Sequence, residues 1–320
     1  MTVLSMPVGS GHATAPRPVP WRNMIWVTWR QHRAMLVSLG AVLGTVAVFL
    51  LVLGLWVHHN FSALMACAAT AAQDCGALNS SFNNTDWTLG NTLGILMNLA
   101  PALIGAFTGP AVMARELEAG TFRYAWTQGI GRVRWTIAKL ALLGLAIAVV
   151  TWAFSQLFTW FFAPFLQQQD TLTVFSATVF DTRGVAFAAW CLVAFAIGAF
   201  LGMLLRRVIG AMAATLGAYL GLALLTWLVL RERYPFALVT SNARLFAAQS
   251  TSGSLNSFPS TAPSDSPWVL STWNVGHTQW WRYIPVSRFW PMQVFEAGWL
   301  LVVAILLGAA TVWLVRRRAA

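Results

Sequence analysis

Charge is scarce in this chain: Asp, Glu, Lys and Arg make up 9% of 320 residues, where soluble domains carry about a quarter. There is a single lysine, Lys139, and the residues before it, WTIAK, do not form the glycine-rich loop that cradles a nucleotide phosphate. ATP binding by that route is excluded. The five histidines (His12, His32, His58, His59 and His277) all lie outside the long apolar runs, and no HExxH or His/Cys ligand spacing occurs. No metal site is expected, and His58 and His59 read as interfacial polar residues. A serine nucleophile in G-x-S-x-G is also missing, so no catalytic residue is assigned. The apolar runs carry essentially no ionisable group, Glu296 standing only at an edge, which argues against an ion-coupled carrier. Cysteine is limited to three residues. Cys191 sits in an apolar run and reads as packing. Cys67 and Cys75 share one loop, where a disulfide is chemically allowed if the loop faces an oxidising compartment, the alternative being two unpaired small residues.

What is present is apolar: 58% hydrophobic residues, 18 tryptophans and a mean hydropathy of +0.65. This composition identifies an integral membrane protein. The formal net charge of +11 would suggest nucleic acid in a soluble protein. Here the basic residues stand at the ends of apolar runs, where they orient a membrane protein, so nucleic-acid binding is not expected.

In chain order, residues 1–20 are Pro/Gly-rich and read as a disordered leader. In residues 21–34 an aromatic face (Trp21, Met24, Ile25, Trp29) opposes an arginine face (Arg22, Arg30, Arg33), as expected of an interfacial amphipathic helix. Six apolar runs follow, at about 35–57, 89–113, 140–163, 184–205, 208–230 and 296–315, each long enough to cross a hydrocarbon core of about 30 Å. The fold class expected is thus an all-α polytopic membrane protein with six transmembrane helices. The second run holds Asn91, Asn98, Pro101 and Pro110, whose polar groups need protein partners, so it should face the bundle interior. Only Arg206 and Arg207 separate the fourth and fifth runs, which must form a tight hairpin. Residues 58–88 read as a polar external loop. Residues 231–295 read as a large external region with external helices or a re-entrant segment near its end, and 316–320 as a tail. Glycines four apart (Gly40/Gly44, Gly90/Gly94, Gly105/Gly109, Gly198/Gly202, Gly217/Gly221) predict close helix packing.

An even number of spans puts both termini on one side. With the termini cytoplasmic, 14 of the 20 Lys/Arg and only two of the nine acids fall inside, the asymmetry expected for that orientation. The stretch 114–139 between the second and third runs is then cytoplasmic, and it concentrates Arg115, Glu116, Glu118, Arg123, Arg132, Arg134 and Lys139. Its mixed charges suit contacts across a protein interface, and Gly120 permits a sharp turn. An ordinary solvated loop is the other reading of the same residues.

Specific motifs decide between them. R-E-L-E-A-G-T (Arg115 to Thr121), A-W-T-Q (Ala125 to Gln128), R-V-R-W (Arg132 to Trp135) and Lys139 resemble the loop after the second span in permease subunits of the ABC-2 type, most of all the actinobacterial branch. Y-x-P-x-x-R-F-W, from Tyr283 to Trp290, with Gln293 and Glu296, resembles the segment before the last span there. The resemblance implies a coupling helix docking on a separate ATPase subunit through Arg115, Glu116, Glu118, Gly120, Thr121 and Arg123. Arg132, Arg134 and Lys139 would anchor the third span at the headgroups. Tyr283, Pro285, Arg288, Phe289, Trp290 and Glu296 would form an external gate region. It further implies a second permease subunit, identical or related, and no cofactor in this chain, ATP and Mg belonging to the partner. The expected function is export of an amphipathic, lipid-like or antibiotic-type substrate across the bacterial cell membrane. The alternative is a passive channel or membrane sensor with no ATPase partner.

Overall fold

The structure is a computed structural model and describes residues 21–69, 75–118, 120, 131–168, 175–241, 268–276 and 278–318. Eight helices and a small sheet are labelled in chain order. Helix α1 is Trp21–Ala69, α2 is Gly76–Thr85, α3 is Asn91–Glu118, α4 is Arg132–Gln168 and α5 is the single turn Ala177–Phe180. Then come α6 (Gly184–Leu205), α7 (Val208–Leu225), strands β1 (Leu238–Thr240), β2 (Trp268–Val275) and β3 (Thr278–Ile284), and α8 (Phe289–Arg318). Among the described residues six helices are long and apolar enough to span a membrane: Val37–Ala69, Thr88–Glu118, Arg132–Leu166, Gly184–Leu205, Val208–Arg233 and Phe289–Arg317. The six expected runs are each recovered.

Packing centres on the second and fourth spans. Of their apolar windows 56% and 67% are buried, against 11% for the first span, so the proline- and amide-bearing helix does face the interior. Glycine makes that crossing. A Cβ built on Gly109 would stand 2.6 Å from the Gly198 Cα, and one on Gly105 2.7 Å from the Ala194 carbonyl oxygen. Helices in lipid associate by close packing rather than by apolar burial, and only glycine lets the two backbones approach this far. Among the described residues Gly40, Gly44, Gly217 and Gly221 have nothing within 4 Å of a built Cβ, so there those pairs make no close helix contact. Towards one end of the bundle Phe158, Phe161, Phe162 and Phe165 of α4 pack with Phe82 in a shared aromatic core.

Four boundaries differ from the sequence reading. Helix α1 runs without interruption from Trp21 into the first span, so no boundary separates an interfacial helix 21–34. No glycine or proline stands between Arg33 and Met35 to break it. At 49 residues it is about 73 Å long, more than twice the ~30 Å core. The expected loop 58–88 is also largely helical. Helix α1 continues to Ala69, and a Cys67–Cys75 disulfide ties its end to the start of α2, with Cα atoms 6.1 Å apart. Polar residues there bond back to their own helices, Ser62 to the His59 carbonyl at 2.7 Å and Ser80 to the Ala77 carbonyl at 3.0 Å, rather than unwinding them. Within 231–295 the described residues form a three-stranded antiparallel sheet in the order β1-β3-β2, followed by a short 3-10 turn at Val286–Arg288 and the start of α8 at Phe289. Aromatic and β-branched residues favour extended backbone in WVLSTWNV and TQWWRYI, and Gly276, at φ +63°, takes the left-handed turn between β2 and β3. The sixth span begins at Phe289, ahead of the expected start at Glu296, and this places Glu296 inside a membrane helix.

The hairpin between the fourth and fifth spans is as tight as expected. Arg206 adopts φ 56° and closes α6 by donating its N–H to the Gly202 carbonyl.

Candidate functional site

Two clusters of buried charge stand at opposite ends of the bundle. The first is the stretch singled out by its charge. Helix α3 carries Arg115, Glu116 and Glu118 in its last turn, and Gly120, at φ +68°, follows it. Thr121 and Arg123 lie outside the described residues. Arg115 is exposed. Glu116, however, pairs within the chain with Lys139, two turns into α4, and the Lys139 ammonium also lies 4.0 Å from the centre of the Trp135 ring. Lys139 is fully buried. The expected headgroup anchor is therefore an internal tie between the second and third spans for Lys139. Arg132 is exposed and Arg134 half-buried at the start of α4. Glu118 has an internal task too: its Oε2 accepts the Val208 N–H at 3.1 Å. Arg207, the residue before α7, offers that helix no side-chain cap. Glu118 supplies the missing acceptor from another helix and places negative charge at the helix N-terminus, where the dipole favours it. Three spans thus meet at the end of α3.

The second cluster was not legible as a site. Arg231, at the end of the fifth span, is 2% exposed and fully engaged. Its Nε donates to Glu296 Oε2 at 2.9 Å and its Nη2 to Glu296 Oε1 at 2.7 Å. Its Nη1 donates to Asp181 Oδ2 at 3.3 Å, and Nη2 also pairs with Asp181 Oδ1. Glu296 accepts two further bonds, from Trp190 Nε1 at 3.0 Å and Tyr234 Oη at 3.3 Å, and Tyr234 in turn accepts from Trp299 Nε1 at 2.9 Å. The Arg231 guanidinium sits 4.7 Å over the Phe180 ring. Buried ions cost several kcal/mol each unless paired and hydrogen-bonded, and here every oxygen and nitrogen of the pair is satisfied.

Gln293, one turn before Glu296, adds a neutral clasp. It accepts from the Ala186 N–H at 3.0 Å and donates to the Phe180 carbonyl at 2.6 Å. Burial, with the Glu296 charge adding to it, pushes the Asp181 carboxyl up to about 6 against the pull of Arg231. Arg183, two residues on, lies over the Phe289 ring at 5.6 Å, and burial pushes its guanidinium down to about 10. Its Nε is buried with no hydrogen-bond partner.

The remaining residues of the expected gate region divide. Tyr283, Pro285, Phe289 and Glu296 are buried, whereas Arg288 and Trp290 are exposed. The expectation that span interiors lack ionisable groups is corrected by Arg231, Glu296 and Lys139, all buried within spans. Composition hid them because each stands near the end of an apolar run, where an isolated charge reads as a boundary mark. The available signal was opposite charge at matching ends: Asp181 before the fourth run, Arg231 after the fifth, Glu296 before the sixth.

His58 stacks on Trp160 with ring centres 4.6 Å apart and hydrogen-bonds its carbonyl at 3.1 Å. Among the described residues no group of three His, Cys, Asp or Glu is placed to hold a metal.

A family profile described as ABC-2 membrane transporter related matches residues 40–231. The chain belongs to that ABC-2 family. The match covers the first five spans, the polar stretch 114–139 and the triad's Asp181 and Arg231, ending on Arg231 itself. It does not reach Tyr283 to Glu296. No curated protein and no solved structure matches the chain. ABC-2 proteins of this kind are membrane-spanning permease subunits of transporters, in general non-catalytic and associated with an ABC ATPase. With six spanning helices, this permease is a multi-pass protein of the cell membrane.

Proposed function

We propose that this ABC-2 permease exports an amphipathic substrate by alternating access, driven by a separate ATPase subunit that docks on residues 114–139, with a second permease completing the pathway. ATP and Mg are held by the partner, and both termini of this chain face the cytoplasm with it. The observation that carries the reading is the junction at the end of α3: Glu116 holds Lys139 of the third span, and Glu118 caps the fifth. A displacement of α3's end is therefore delivered to three spans at once, which is how a local push becomes a rigid-body change. Two apolar grooves, of about 600 Å³ between α4, α6 and α8 and about 530 Å³ between α1, α3, α4 and α6, suit an apolar body better than a polar solute.

Arg115 is the residue to test, because it is exposed beside acids that are used internally. Photocrosslinking from position 115 in native membranes should capture an ATPase with a phosphate loop, and in a separate co-purification without the crosslinker Arg115→Glu should cut recovery of that ATPase at least about fivefold while leaving thermal unfolding unchanged, by loss of a charge-assisted interface contact. Undiminished recovery with Arg115→Glu, or crosslinks to lipid alone, would remove the docking role.

A further inference from the structure

Asp181 and Arg231 also form one wall of a cavity of about 260 Å³ between α3, α6 and α7. Its other walls include Trp190, Tyr219, Leu220 and Trp227. Leu220 lies eleven residues before Arg231, so the cavity reaches about 16 Å along the fifth span, roughly half of a ~30 Å core. It has a charged end and a long aromatic and aliphatic side.

The hydrogen bonds decide which charge a ligand would meet. All three Arg231 nitrogens donate to carboxylates, one face of the guanidinium lies over Phe180, and the side chain is 2% exposed. The Trp190 N–H is committed to Glu296. An anion entering here meets donors already in use. Asp181 is 18% exposed, the most accessible member of the triad, and each of its oxygens keeps a lone pair beyond the one given to Arg231. Two carboxylates and one guanidinium leave one uncompensated negative charge, and the nearby Arg183 sits over the Phe289 ring instead. Trp190 and Tyr219 meet edge to face, and Trp227 is half exposed on the open side. Aromatic faces beside a carboxylate are the chemistry that recognises an organic cation.

We propose that this cavity binds an amphipathic organic cation, its charged centre at Asp181 and its apolar body along Trp227 and Leu220. As a site for transported cargo it rests on the permease reading above; as a binding site it does not.

The test uses the full chain alone in phosphatidylglycerol nanodiscs, with empty nanodiscs subtracted. Radiolabelled tetraphenylphosphonium is the probe, and tetraphenylborate is its size-matched anion. Saturable binding of the cation is expected, with Asp181→Asn weakening it about tenfold or more and no competition from the anion. Because Asp181→Asn also loosens Arg231, Trp227→Ala on the open wall is the second variant, expected to weaken binding severalfold without changing thermal unfolding. Equal binding of the two ions, or cation binding that neither variant changes, would overturn the proposal. Displacement of the probe by phosphatidylethanolamine added to the discs would keep the site and identify a lipid amine as its occupant. No ATPase is present, so loss of the docking role leaves this result intact, and failure here leaves the docking experiment intact.

Discussion

The two charged ends of this bundle solve the same problem in different ways. At one end an ion pair, Glu116–Lys139, and a cap, Glu118 on Val208, join three spans beside an exposed arginine. At the other, Arg231 binds two carboxylates, and Glu296 gathers a tryptophan and a tyrosine as well. The first junction is the more open to water, Glu116 being 16% exposed against 0% for Glu296, which suits an input that must move. The second is cross-braced between the fifth and sixth spans and the turn before the fourth, so it moves as a block or not at all. A permease that alternates between open faces needs both a compliant input and a gate with two discrete states. This chain has candidates for each.

The sharpest way to break the comparison is Glu296→Gln. It keeps the shape but leaves Arg231 buried with Asp181 alone, and the loss of a buried partner should cost about 3–5 kcal/mol. Thermal unfolding in detergent should drop accordingly; a change under about 1 kcal/mol would mean that the block is not cross-braced. Glu116→Gln at the other end should cost less, about 1.5–3 kcal/mol, the range for a hydrogen bond to a charged group, since Glu116 is 16% exposed and water can approach the pair. If the two variants destabilise equally, the contrast between the ends is lost.

Acidity should separate the ends further. The Asp181 carboxyl, raised to about 6 in the fold from an ordinary value of 3.8, binds its proton more tightly when folded. Its contribution to stability is therefore present at low pH and lost as pH rises from about 4 through about 6. Wild type minus Asp181→Asn, measured as unfolding temperature at pH 4.5 and 7.5, should show this decline, and a difference that is flat or reversed would reject it. The smallest effect belongs to Glu118→Ala. Loss of one helix cap costs about 1 kcal/mol, and hydrogen exchange at the Val208 amide should quicken while Arg231 and its partners remain protected.

Much of the architecture was legible because membrane spans are written locally. An apolar run must close its backbone hydrogen bonds within itself, so length and hydropathy suffice to place Gly184–Leu205 or Val208–Arg233. The proline-bearing second span was assigned to the interior for the same reason. The 114–139 stretch was visible as charge where charge is rare, and its motifs carried the family. The sheet was missed because WVLSTWNV and TQWWRYI are aromatic-rich without a clean apolar/polar alternation, and only their pairing, Trp273 opposite Trp280, marks them as strands. Glu296 was misplaced because the start of the sixth helix, seven residues earlier, depends on Phe289 packing against Phe175 and Phe180.

By itself, then, the sequence determined the membrane class, the six spans, the hairpin at Arg206–Arg207 and the polar stretch, all of them consequences of composition within short windows. Only the tertiary structure decided which glycines touch, since among the described residues Gly109 meets Gly198 while a Cβ on Gly217 would have nothing within 4 Å. It also decided what the charges do. Lys139, an anchor by position, becomes the partner of Glu116, and three charges 50 and 65 residues apart become one site. The physical reason is that a span is fixed by its own backbone, whereas a buried ion is tolerated only through partners that other spans bring to it.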